Sequence, residues 1–114
     1  MQDKLIIATK TKKTIELIEK TIINFPHKER NLKNRLANTC YDLLENIYYA
    51  NITKEINSMR KIIVNIKMID YFLKLSCNRE LISLKKYEQI GNYLLEINKM
   101  VNIWIKNETS KQNI

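Results

Sequence analysis

One histidine, His27, and one proline, Pro26, stand side by side in the stretch "NFPHKER", residues 24–30, with three charged residues packed behind them. A lone histidine beside a glutamate and an arginine is the minimum from which acid–base chemistry could be assembled. The surroundings give it little to work with. A helical ribonuclease pair needs an arginine ahead of its histidine, and no arginine precedes His27. Carboxylate-bridged metal chemistry in helical bundles needs Glu-x-x-His pairs on facing helices. This chain has a single His and no Glu three residues before it. Nucleophilic sets of the Cys-His or Ser-His-Asp kind need a base oriented by a third group, which a histidine at a helix start does not offer. Asp42 and Glu45 lie one helical turn apart and read as a solvated face rather than a catalytic pair. Cys40 and Cys77 are too few for a disulfide framework or a zinc site and read as reduced core thiols. The sequence therefore points to no catalytic residue, no metal and no cofactor.

The same stretch has a full structural reading. Proline suits the first position of a helix, where its missing N–H would be unpaired anyway. Glu29 falls in the first turn, where a negative charge meets the positive end of the helix. Phe25 is placed to fold back as a staple on the second turn. "NFPHKER" is read as a helix start.

The elements around it follow from composition and periodicity. The 114 residues contain one Gly and one Pro, and 45% are hydrophobic. So few breakers exclude a β-rich fold and leave long helices with short turns. The length is that of one domain with a real core. A first helix is predicted from about Lys10 to Asn24, with Ile15, Ile18 and Ile22 on its inner face and the residues before it frayed. A second runs from Pro26 to about Ala50, on Leu32, Leu36, Cys40, Leu43 and Ile47. "NIT", residues 51–53, is predicted as a turn in which Thr53 caps the next helix. The third helix spans about Lys54 to Cys77, with Ile56, Met59, Ile63, Ile66 and Leu73 inward and Asn78 taking the left-handed position that ends it. Ser83 caps a fourth helix reaching about Lys106, with Leu84, Tyr87, Gly91, Leu94, Val101 and Ile105 inward. Short connections make sequential helices antiparallel, so the expected fold is an all-α, up-down-up-down four-helix bundle over residues 1–107, with a disordered polar tail at 108–114.

Charge is the most informative surface property. Twenty Lys+Arg against twelve Asp+Glu give a net charge of +8 and a pI near 9.5, a balance that attracts polyanions. Arg60, Lys67 and Lys74 recur every seven residues on helix 3; Lys85, Asn92, Lys99 and Lys106 keep the same interval on helix 4. A seven-residue interval drifts only about 20° per repeat, so each set forms one line that could follow a phosphate backbone. Asp70, between Lys67 and Lys74, is the competing partner that would pair with both. No apolar run approaches the roughly 20 residues of a membrane span, and "LII" at Leu5–Ile7 is too short for a signal segment. A cytoplasmic protein that does not meet the membrane is expected.

The order of three segments resembles a known family. "FPHKERNLKNRL" opening helix 2, "YDLLENIYYAN" closing it and "LISLKKYEQIGNYLLEINKMVNIWIK" as the last helix resemble the Avd family, the accessory variability proteins of diversity-generating retroelements, over about Ile15 to Lys106. The resemblance implies a non-enzymatic homo-oligomer, a pentamer of four-helix protomers, that binds RNA or DNA and associates with a reverse transcriptase copying template RNA into cDNA. By that resemblance Arg30, Lys33, Arg35, Arg60, Lys67, Lys74, Lys85, Lys99 and Lys106 would hold nucleic acid or the polymerase. The rRNA intervening-sequence proteins share the bundle and rank second, as scaffold or interaction proteins. Their helix 2 usually ends in an "NIAEG"-like segment where this chain has "ENIYYAN".

Overall fold

A computed structural model describes residues 2–112, with side chains from Ile6 onward; it contains four helices and, among the described residues, no strand. The helices are α1 (Gln2–Ile22), α2 (Arg30–Thr53), α3 (Ile56–Asn78) and α4 (Leu84–Gln112). Each packs against its two neighbours in a closed ring, α1 on α2, α2 on α3, α3 on α4 and α4 on α1. The molecule measures 52 × 23 × 20 Å. Polar contacts tie each neighbouring pair. Tyr41 Oη donates to Glu19 at 2.6 Å, and Lys33 Nζ to the Ile23 carbonyl at 3.3 Å. Asn46 bonds Asn65 at 2.7 Å, Tyr87 Oη donates to Asp70 at 2.9 Å, and Lys10 pairs with Glu96 at 3.1 Å.

The core of α2 is the expected one: Leu32, Leu36, Cys40, Leu43 and Ile47 are all buried. The other helices depart from expectation in instructive ways. α1 begins at Gln2 rather than Lys10, and Ile7 and Ala8 are core residues. The pattern hides them because Thr11 and Thr14 occupy the next inward positions. Both are buried nonetheless, and the Thr14 hydroxyl donates to the Lys10 carbonyl. On α3 the centre of the buried face is Ile62, Ile66, Ile69 and Leu73; Ile56 and Ile63 flank it. On α4 the buried residues are Ile90, Leu94, Ile97, Val101, Trp104 and Glu108. The predicted inner face was turned too far toward α3. Leu84 is 61% exposed, and Tyr87, Gly91 and Ile105 stand at the edge. The helix is apolar on both sides of that edge, so periodicity alone leaves its rotation open.

The connections are also corrected. Residues 51–53 complete α2, and Lys54, at φ 62°, ends it by donating its N–H to the Ala50 carbonyl at 2.9 Å. Thr53 therefore closes α2 rather than capping α3, its hydroxyl donating to the Tyr49 carbonyl at 3.0 Å. At the far end of α3, Asn78 stays helical and Glu80, at φ 61°, takes the left-handed position. The Leu81 N–H reaches the Ser76 carbonyl and the Glu80 N–H the Cys77 carbonyl, the paired bonds of a Schellman ending. Ser83 does cap α4, its Oγ accepting the Lys86 N–H at 3.0 Å. Beyond Lys106 the helix continues to Gln112, where a polar tail was expected from residue 108. Glu108 is buried there, and the Gln112 amide donates to the Lys54 carbonyl at 3.0 Å. Residues 113 and 114 of that expected tail lie outside the described residues.

Candidate nucleic-acid interface

The "NFPHKER" stretch is a joint. Phe25 is buried, Pro26 precedes a single 3-10 turn at His27–Glu29, and α2 follows directly. The extra turn displaces Pro26 from the first α-helical position, since its N–H-less ring opens the tighter turn instead. Glu29 accepts from Arg79 at 2.8 Å, fastening the start of α2 to the end of α3. His27 is exposed, and its Nε2 meets the Arg30 guanidinium. Asp42 and Glu45 are both exposed.

The nine basic residues singled out by the sequence divide into two groups. Arg30, Lys33 and Arg35 sit on the first turns of α2, and each meets a neighbouring group. Arg30 meets His27, Lys33 donates to the Ile23 carbonyl, and the Arg35 guanidinium stands 5.5 Å over the Phe72 ring. Because α2 does not pack against α4, these three are not gathered with the α4 cations.

Arg60, Lys67 and Lys74 on α3, with Lys85, Lys99 and Lys106 on α4, are all exposed. They project from adjacent, packed helices. The ion pairs among the described residues are Lys10–Glu96 and Arg79–Glu29, so these six cations are left without acidic partners there. Asp70, the competitor for Lys67 and Lys74, accepts from Tyr87 instead. Partial burial, reinforced by that bond, pushes the Tyr87 phenol up to about 12.

Between the two basic stripes runs a cleft of about 570 Å³, shared by α3 and α4. Lys67, Asp70, Tyr87, Glu88, Gly91 and Asn92 are among the residues that line it. Tyr87 and Gly91, expected in the core, line this cleft instead, and Glu88, outside the expected site, joins them. The available signal was a lone glycine inside a long helical pattern.

These features define a class: a small, strongly basic, all-α protein of four helices, with a cleft of mixed polar and apolar lining between its last two. More particularly, the chain belongs to the bAvd-like family, whose model matches residues 5–108. Its fold is similar to the crystal structure of a protein of unknown function from the S23 ribosomal protein family of Bacteroides thetaiotaomicron VPI-5482. The two are 20% identical, the match covers 91% of this chain and 98% of that one, and the TM-score is 0.77. Among curated proteins none matches the chain. Among the described residues, no helix is long and apolar enough to cross a membrane.

Proposed function

We propose that this chain is a non-enzymatic, nucleic-acid-binding accessory protein of a reverse transcriptase in a diversity-generating retroelement. It would act in the cytoplasm, where template RNA is copied into cDNA. Membership of the bAvd-like family supports the setting. The observation that carries the binding role is the pair of basic stripes, Arg60/Lys67/Lys74 and Lys85/Lys99/Lys106, exposed on adjacent helices and without acidic partners among the described residues. The protomer is read as one up-down-up-down antiparallel bundle. The pairing of Glu19 with Tyr41, Asn46 with Asn65 and Asp70 with Tyr87 supports that topology. Protomers would assemble as a homo-oligomer, a pentamer by family resemblance, with chemistry left to the polymerase.

Filter binding of RNA and of duplex DNA across a salt series tests the reading. Six phosphate contacts predict a log–log slope of about −4 for single strands and about −5 for duplex. Absence of binding at low salt would refute it. The exposed Tyr41, Tyr48, Tyr49 and Ile52 on α2 favour a second reading, a four-helix scaffold or interaction protein related to the rRNA intervening-sequence proteins. That reading expects oligomers by light scattering but no salt-sensitive nucleic-acid binding.

A further inference from the structure

Gly91 is the only glycine in the chain, and it lies in the interior of α4. Glycine is among the least favourable residues in such a position. Two reasons usually excuse it, and neither applies. Its φ is not positive, so the backbone does not need it. A Cβ built there would meet nothing within 4 Å, so crowding does not need it either. What the missing side chain does provide is space, because Gly91 lines the α3–α4 cleft.

The cleft has a definite chemistry. Ile66, Leu94 and Leu95 supply apolar wall, and Tyr87 an aromatic one. Glu88 offers carboxylate oxygens that can only accept while ionised, Lys67 an ammonium that can only donate, and Asn92 and Asn98 amides that do both. Asp70 accepts from Tyr87 on one oxygen and keeps acceptor capacity on the other. The volume falls within the range of small-molecule sites. The cations on either side favour an anionic chain over a neutral peptide as the thing that brings the occupant in.

We propose that the Gly91 cleft receives one unstacked base carrying an exocyclic amino group, from a single-stranded nucleic acid whose phosphates lie along the flanking lysines and Arg60. This rests on the nucleic-acid-binding role proposed above and adds a base pocket to it. The base's faces lie against the apolar and tyrosine walls, as unpaired bases do on protein surfaces. Its amino group donates to Glu88, and Lys67 or an asparagine amide donates to a ring nitrogen or carbonyl oxygen. Uracil and thymine lack that amino group and are disfavoured.

The test is fluorescence anisotropy with three labelled single strands of equal length: oligocytidine, oligouridine and an abasic strand with the same phosphates. Wild-type protein should bind oligocytidine roughly ten-fold tighter than the abasic strand, and tighter than oligouridine. Gly91→Leu, which puts a branched side chain into the cleft, should erase the gap to the abasic strand while leaving abasic binding unchanged. Glu88→Ala, at an exposed helical position that tolerates alanine, should abolish the preference for cytidine over uridine, and it carries the test should the leucine variant fail to fold. Equal binding of all three strands by wild type overturns the pocket and leaves backbone binding standing. So does full discrimination by both variants. A changed oligomeric mass of Gly91→Leu with unaltered strand discrimination also overturns it, assigning the cleft to a second copy of the chain. No binding of any strand at low salt removes the pocket and the underlying reading together.

Discussion

Cys40 shows how completely burial can silence a reactive group. Its side chain is inaccessible, and desolvation, helped by the nearby Glu19 carboxylate, pushes the thiol from 9.0 up to about 12. The thiolate is the nucleophile and the metal ligand, so at neutral pH this sulfur is packing material. The fold favours the protonated thiol, whose contribution to stability is present in full below about pH 9. It drains away as pH climbs toward 12, by up to about 1.4 kcal/mol per pH unit for this one group. Tyr87, also raised to about 12, titrates in the same direction. Urea midpoints should therefore hold between pH 7.5 and 8.5 and fall at pH 10.5. Cys40→Val should remove part of that alkaline loss, and an equal fall in both proteins would contradict the assignment. The sequence shows Cys40 as a core thiol from its place in the Leu36–Leu43 stripe. Cys77 is less sheltered: it is half-buried at the edge of the core.

At the scale of the element, both internal α-helix endings described by left-handed residues use non-glycine side chains, Lys54 and Glu80. A Cβ in that conformation costs on the order of 1 kcal/mol, which glycine avoids. Glu80→Gly should raise stability by about 0.5–1 kcal/mol, read as a higher urea midpoint at unchanged slope. A lower midpoint would mean that the glutamate makes an energetic contact outweighing its strain. Asn78, the residue expected to take this position, lies two residues earlier. Asparagine tolerates the left-handed region better than most residues, but local preference was outvoted. Keeping Asn78 helical lets the Leu81 N–H reach Ser76 and carries Leu81 and Ile82 onto the core. Burial of those two side chains outweighs a single residue's preference. The same competition extends α2 through the "NIT" segment, where no glycine or proline marks a stop.

For the whole molecule, charge distribution matters more than total charge. If phosphates lie along the α3 and α4 stripes, Lys67→Gln with Lys99→Gln should weaken strand binding and reduce the magnitude of the salt slope by about 1.4 for single strands. Lys33→Gln, on α2 and away from the α3–α4 side, should change the slope little, because its charge lies off the proposed track. Equal effects from both variants would indicate diffuse attraction by net charge rather than a defined track. Native chemical melts of the variants check that the fold is unaltered.

What the sequence determined by itself was the kind of molecule. One glycine and one proline in 114 residues, with apolar side chains at helical spacing, leave little alternative to long helices. The seven-residue interval of the basic residues likewise made each stripe a property of a single helix, legible without knowing what lay beside it. What only the tertiary structure decided was rotation and company. It turned α4 so that Ile90 and Ile97 are buried while Leu84 is exposed, it sent Asp70 to Tyr87 rather than to the lysines, and it left Gly91 beside open space. A helix with apolar residues on more than half its circumference has several inward faces of similar merit. The choice among them depends on how neighbouring side chains interlock, which is a relation between helices and is not written in the pattern of any one.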